Sequence, residues 1–286
     1  MKSDRRNCDL SFSNLCSWRF LYDTQYAVID NFLVFKFWAG EQLAYMMPVG
    51  SGDLKAVLRE LIEDADKEKH NFCMLGVCSN MRADLEAILP GQFTFTENRD
   101  YADYIYLRSD LATLKGKKFQ AKRNHINRFR NTYPDYEYTP ITPDRIQECL
   151  DLEAEWCKVN NCDQQEGTGN ERRALIYALH NFEALGLTGG ILHVNGKIVA
   201  FTFGMPINHE TFGVHVEKAD TNIDGAYAMI NNEFANHIPE QYIYINREED
   251  LGLEGLRKAK LSYQPVTILE KYMACLKDHP MDIIRW

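Results

Sequence analysis

Gly190-Ile191-Leu192-His193-Val194-Asn195-Gly196-Lys197-Ile198-Val199-Ala200-Phe201-Thr202-Phe203-Gly204 is the stretch on which the fold turns. Two apolar runs rich in β-branched and aromatic residues flank Asn195-Gly196. Both turn residues tolerate the positive φ of a type I′ turn, so the segment predicts a β-hairpin. On its N-terminal side, apolar spacing predicts helices over Arg145 to Lys158 and Asn170 to Leu185. On its C-terminal side follow a strand Thr211 to Glu217, a helix Gly225 to His237, a strand Tyr242 to Asn246, a helix Gly252 to Ser262 and a strand Val266 to Met273. The second half therefore reads α, ββ, β, α, β, α, β, a mixed α/β unit.

The first half has a similar grammar. Alternating apolar stretches predict strands within Tyr26 to Phe37 and Leu43 to Pro48. Gly50-Ser51-Gly52-Asp53 then opens an amphipathic helix carrying Leu54, Val57, Leu58, Leu61 and Ile62. Ser51 or Asp53 is most simply its N-cap, with a phosphate-binding loop as the alternative. A strand Phe72 to Cys78, a helix around Met81 to Leu89, and strands Phe93 to Thr96 and Tyr104 to Leu107 follow. Pro134, Pro140 and Pro143 punctuate the middle, which predicts two domains, 1–140 and 141–286.

At 286 residues, 45% hydrophobic and 26% charged, the composition is that of a globular protein with a substantial core. No stretch approaches the roughly eighteen uncharged apolar residues of a membrane span. The N-terminus lacks an apolar signal region, so the expected address is the cytoplasm. The eight cysteines have no regular spacing and are expected to be free thiols. Cys73/Cys78 and Cys157/Cys162 are C-x4-C pairs, but neither has a second pair at zinc-finger spacing, so no metal site is expected.

Net charge is −9, yet it is unevenly spread. Between Leu111 and Pro134 lie Lys115, Lys117, Lys118, Lys122, Arg123, Arg128 and Arg130, with His125 and no Asp or Glu. A basic segment on an acidic body suits a polyanion site. The plainer alternative is a solvated helix face. In a helix begun at Gly116, Phe119, Ile126 and Phe129 form the apolar stripe, and Lys118 and Lys122 fall on or beside it. Both lysines are therefore expected to line a site rather than face bulk water, with Arg123 and Asn124 completing a donor- or polyanion-binding set.

The order of elements looks like the GNAT-type N-acyltransferase fold, with the first half a degenerate second copy. Two strings, DLATLKGKKFQAKRNHINRF from Asp110 to Phe129 and NREEDLGLEGLRKAKLSYQP from Asn246 to Pro265, resemble the bacterial family grouped with the C-terminal domain of phosphatidylglycerol lysyltransferase, over nearly the whole chain. That resemblance implies tandem GNAT-like domains and an acyl- or aminoacyltransferase with no tightly bound cofactor. Its named relatives move an aminoacyl group from aminoacyl-tRNA to a lipid headgroup, and the related Fem-type enzymes move it to a peptidoglycan precursor. Aminoacyl-tRNA or acyl-CoA is thus the implied donor, and tRNA the implied partner. No stretch of these residues is expected to match the transmembrane half of the lipid-modifying enzymes.

Acyl transfer to an amine or hydroxyl needs a cradle for the donor's phosphates, a site for the developing oxyanion and a base for the acceptor's proton. The cradle candidate is the turn Asn222-Ile223-Asp224-Gly225-Ala226, whose amides open a helix; a plain cap by Asp224 or Asn222 is the alternative. For the base, period-two alternation puts Phe212, Val214 and Val216 on one strand face and Gly213, His215 and Glu217 on the other. Tyr244 and Asn246 share a face of the next strand. Glu249 and Asp250 lead through Gly252 into the helix bearing Arg257 and Lys260. His215, Glu217 and Glu249 are the catalytic candidates, and Tyr244, Asn246, Asp250, Gly252, Arg257 and Lys260 the cleft lining. The plainer alternatives are an exposed polar strand face and carboxylates that complement a helix dipole. There is no G-x-S-x-G, Walker A, H-E-x-x-H or strand-linked G-x-G-x-x-G string, which removes the corresponding hydrolase, nucleotidase, zinc-protease and dinucleotide readings. The rival from another class is a non-catalytic tRNA-binding module on the same fold.

Overall fold

The structure, a computed structural model, describes residues 5–160 and 166–277. Its first sheet contains the hairpin β1 (Gln25–Ile29) and β2 (Phe32–Ala39), then β3 (Gln42–Tyr45), β4 (Val49–Gly50), β5 (Cys73–Val77) and β6 (Phe93–Glu97). Two short helices, α1 (Phe12–Ser17) and α2 (Arg19–Tyr22), precede it, and α3 (Leu54–Lys67) and α4 (Ser79–Ile88) lie within its span. The Asp53 side chain caps α3 by accepting the Ala56 amide at 3.1 Å. Val57, Leu58, Leu61 and Ile62 of that helix share a core with Tyr45, Phe72 and Met74.

The second sheet has the order β13-β7-β12-β11-β10-β9-β8. Its strands are β7 (Asp103–Leu107), β8 (Glu137–Pro140), β9 (Thr188–Val194), β10 (Lys197–Pro206), β11 (Thr211–Ala219), β12 (Tyr244–Asn246) and β13 (Thr267–Leu269). The hairpin predicted at Asn195-Gly196 joins β9 to β10, with φ of 51° and 72° at the turn. Helices α5 (Arg108–Thr113), α6 (Gln120–Thr132), α9 (Ala226–His237) and α10 (Glu254–Leu261) accompany one face, and α7 (Ile146–Asn160) and α8 (Glu166–His180) the other. Two mixed sheets with helices packed on them give a mixed α/β architecture.

The division between the sheets departs from the expected cut at residue 140. β7 and the basic helix α6 belong with the second sheet, where Phe119, Ile126 and Phe129 pack on Leu192, Ala200, Met229 and Ile230. Conversely, the strand expected over Val266 to Met273 breaks at Glu270-Lys271. β13 stays in the second sheet, while β14 (Tyr272–Leu276) crosses into the first and pairs antiparallel with both β5 and β6. Partners this distant in sequence leave no local trace, because strand pairing is chosen across the chain.

The same crossing corrects the expectation of free thiols. Cys275 of β14 stands opposite Cys73 of β5, with Cα atoms 4.1 Å apart, and the two form a disulfide. Cys157 is also disulfide-bonded, while Cys162 lies outside the described residues. Cys8, Cys16, Cys78 and Cys149 are free.

A second correction lies in β11. Thr202 pairs with Glu217 and Phe203 with Val216, but Gly204 pairs with Val214, so His215 is the additional residue of a β-bulge. The bulge breaks the period-two alternation. Phe212 and Val214 pack with Phe234 and Ala235 of α9, whereas Val216 packs into the cluster of Phe201 and Phe203 beneath α7 and α8. Glu217 therefore lies on the α9 face, and His215 does not share it. The bulge needs Gly204, since a Cβ there would lie 1.8 Å from the Gly213 carbonyl oxygen. Gly204→Ala is expected to cost about 1–3 kcal/mol through this overpacking, read as a lowered denaturant midpoint.

Candidate active site

β11 and β12 run parallel only where Thr211 to Gly213 face Tyr244 to Asn246. Beyond that register β11 continues to Ala219, while β12 ends and the chain turns away. The two strands thus open a wedge, and the turn of residues 247–253 lies at its mouth. Three residues of that turn have positive φ, Glu248 at 59°, Leu251 at 51° and Gly252 at 75°. Such a backbone persists only when its surroundings hold it.

Several expected cleft residues are what hold it. Asp250 is fully buried and takes two 2.8 Å bonds from Arg257, one of 2.5 Å from the Tyr104 hydroxyl and one of 2.9 Å from the Gly252 amide. These bonds, led by those from Arg257, keep its carboxyl well below the usual carboxylate range. Lys260 is buried and donates to the carbonyls of Arg247, at 2.6 Å, and Glu249. Burial lowers its pKa from the ordinary lysine value. The φ of 75° at Gly252 is what favours glycine there. Asn246 is buried, donating to the Arg6 carbonyl and Asp103 Oδ2 at 2.7 Å each and accepting the Glu248 amide at 2.7 Å. Tyr244 carries the Arg6 guanidinium 4.0 Å above its ring.

On one side of the turn, Glu249 enters a buried cluster that sequence reasoning did not foresee. Lys271, at the residue where the chain crosses between sheets, lies 2.6 Å from Glu249, 2.7 Å from Asp103 and 2.7 Å from Asp9. Cys8 Sγ is 3.5 Å from the ammonium. Burial works against the Lys271 charge, but Asp103, Asp9 and Glu249 hold its pKa well above the ordinary value. Burial pushes Asp103 up to about 7 despite Lys271, while the Lys271 ammonium outweighs burial at Glu249 and lowers it. Cys8, Asp103 and Glu249 present ligand atoms within 4.8 Å of one another, yet the ammonium already supplies their cation. The only local signal was a charged pair, Glu270-Lys271, interrupting an apolar strand.

His215 extends the same side. Its Nδ1 is 2.7 Å from Glu248 Oε1, and its Nε2 is 2.9 Å from Ser11 Oγ. Asn14 Nδ2 also donates to Glu248 at 2.8 Å, so the N-terminal segment is tied to the turn through these residues. With both ring nitrogens engaged, His215 anchors that segment.

The α9 side of the wedge holds Glu217. Its carboxylate takes 2.9 Å and 3.2 Å bonds from Arg247 Nη2 and Asn231 Nδ2. Lys122 of α6 reaches the same place, its ammonium 3.9 Å above the Tyr263 ring. Burial, followed by the Arg247 charge, lowers the Lys122 pKa. Lys118, by contrast, is 49% exposed and pairs with Asp110 at 2.9 Å, so the expectation that it lines a site is corrected. The α-helix starts at Gln120 rather than Gly116, after a short 3-10 turn that carries Lys118. Arg123 donates to the carbonyls of Leu114 and Gly116, closing the end of α5, and Asn124 is exposed and accepts from Gln120.

The expected phosphate cradle is partly covered. Gly225 has φ of 84° and lies against α6, where a Cβ would be 3.1 Å from the His125 carbonyl oxygen and 3.2 Å from Phe129 Cβ. Ala226 is buried. Asn222 bonds Asp220 and Asp224 pairs with Arg128, so neither side chain caps α9. The adjoining hollow, lined by Trp156, Asn160, Asp220 and Asn222 among others, has a volume of about 90 Å³. Among the described residues, no helix is long and apolar enough to cross a membrane.

The fold is shared with solved structures. The chain is 95% identical to a conserved protein of unknown function from Bacteroides thetaiotaomicron VPI-5482, with a TM-score of 0.95 over 97% of this chain and 94% of that one. A C-terminal domain (DUF2156) from Agrobacterium fabrum gives a TM-score of 0.71 at 13% identity, covering 96% and 88% of the two chains. L-PGS from Bacillus licheniformis gives 0.65 at 19% identity, covering 94% and 89%. In sequence, an uncharacterised protein of Mycoplasmoides gallisepticum is 26% identical over 175 residues, which is 60% of this chain. The chain spans about half, 55%, of that curated relative's length. With its two mixed sheets joined by a crossing strand, the chain matches over residues 1–275 the family described as phosphatidylglycerol lysyltransferase, C-terminal, and belongs to that family.

Proposed function

We propose that the protein transfers an acyl or aminoacyl group from a phosphate-bearing donor, aminoacyl-tRNA or acyl-CoA, to an amine or hydroxyl acceptor. The observation that carries this reading is the wedge between β11 and β12, with the Glu217 carboxylate on one wall and Lys122 and Arg247 beside it. A donor carbonyl seated there meets an acceptor amine whose nitrogen attacks the carbonyl carbon. Glu217 takes the proton that the nitrogen sheds. The tetrahedral intermediate then collapses, breaking the bond to the donor's oxygen or sulfur, which leaves with that proton.

Aminoacyl-tRNA is the preferred donor. The turn at Gly225 is covered by α6 and flanked by Asp220 and Asp224, whereas the outer face of α6 carries exposed Arg128 and Arg130. A cytoplasmic address goes with that donor. The test is to incubate the protein with mixed aminoacyl-tRNAs or acyl-CoAs and a panel of amines and alcohols, and to identify acylated products by mass spectrometry. A product that requires the protein supports the reading. Binding of tRNA with no product from any donor would leave the polyanion-binding module instead.

A further inference from the structure

We infer that the α9 side of the wedge is a phosphate-binding subsite built by Arg247, Lys122 and Asn231. This deepens the transferase reading and rests on it for the identity of the donor, but the binding event stands apart from turnover.

Three side chains from three elements carry the assignment. Arg247 spends Nη2 on Glu217, while Nη1 is buried without a hydrogen-bond partner. Asn231 of α9 spends Nδ2 on the other Glu217 oxygen, and its Oδ1 is likewise buried and unpartnered. The reversed amide would turn Oδ1 onto a carboxylate, so Glu217 fixes which end is free. Lys122 makes no hydrogen bond or ion pair among the described residues, and its ammonium and the Arg247 guanidinium lie over the same Tyr263 ring, at 3.9 Å and 4.9 Å from its centroid. Buried polar groups are seldom left unpaired in a native protein, and two here belong to residues that bind the two oxygens of one carboxylate.

The charge and the donor pattern together name the ligand. Two cations against one carboxylate leave a net positive site, which calls for an anion. Arg247 Nη1 and Lys122 Nζ are donors and need acceptor oxygens, whereas Asn231 Oδ1 is an acceptor and needs a proton. A carboxylate or sulfate offers acceptors only and would set a lone pair against Asn231. Hydrogen phosphate, or a phosphate beside a hydroxyl, offers both. Burial and Arg247 hold Lys122 below its ordinary value, as befits a cation short of a counter-ion.

Calorimetric titration of the full chain with inorganic phosphate and with sulfate tests the subsite. Phosphate is expected to bind at least about tenfold more tightly than sulfate, the ratio set by one unmet buried hydrogen bond. Asn231→Asp replaces the amide acceptor of the subsite with a negative charge and should abolish phosphate binding. Lys122→Met should weaken it about tenfold. Lys117→Met, on the exposed side of the basic segment, should leave it unchanged. Should Asn231→Asp fail to fold, Lys122→Met with its thermal transition recorded decides the matter, because Lys122 is only half-buried. No binding of phosphate to the wild type, equal affinity for sulfate, wild-type affinity in folded Lys122→Met, or an equal loss in Lys117→Met would each overturn the subsite. Phosphate binding without turnover keeps the subsite and sinks the transferase reading; turnover without phosphate binding does the reverse.

Discussion

Replacing Lys271 with Met is expected to cost about 3–5 kcal/mol of stability at neutral pH, the range for leaving a buried charge without its partner. The ammonium is 4% exposed and is the shared cation of Asp9, Asp103 and Glu249. Methionine fills much the same volume, so the loss is electrostatic rather than a cavity. The pH dependence separates this cause from a packing fault. Asp103 already sits near 7, above its ordinary 3.8, and without Lys271 it moves higher. A carboxyl whose folded pKa is raised makes the folded state the better proton binder, so its stability is greatest below the unfolded pKa and falls as pH rises through the folded one. The gap between wild type and Lys271→Met should therefore narrow as pH is lowered from about 8 to about 5 in denaturant titrations. A gap that stays constant across that range would show that the three carboxylates are not what Lys271 serves.

Glu217→Gln should lower turnover about 10²- to 10⁴-fold, the contribution of a positioned general base, with little change in donor affinity. Glutamine can still accept from Arg247 through its carbonyl, which preserves much of the wall while removing the proton acceptor. The loss should fall on kcat. Wild-type kcat in Glu217→Gln would end its role as the base. A selective loss in Glu249→Gln, with its stability measured alongside, would then move that role to the Lys271 cluster.

How much of this was legible in the sequence depends on the range of the interaction that decides each feature. The Asn195-Gly196 hairpin, the Asp53 cap and the Phe119, Ile126 and Phe129 stripe rest on neighbours within a few residues, and all three are present. The β11 bulge is also local, yet one added residue reverses every side-chain assignment beyond it, which is why His215 and Glu217 part company. No periodicity argument could foresee it. Cys73 with Cys275, Asp103 with Lys271, and Ser11 with His215 are joined only by the tertiary fold. The expected cleft residues Asp250, Arg257 and Lys260 meet at one turn, where Arg257 binds Asp250 and Lys260 binds backbone carbonyls, so they hold its backbone.

The exchange of strands between the sheets also sets an order in time. β14 is made after every strand of the second sheet, yet its place is inside the first, between β5 and β6. During synthesis β6 has no strand partner among the described residues, and β5 has one side open, until the chain has passed through β13 and across Lys271. Open strand edges are templates for pairing with other chains. The nascent first half is therefore an adhesive surface for as long as the ribosome takes to deliver its missing strand, and a ribosome stalled before Tyr272 would hold out an N-terminal sheet that cannot close.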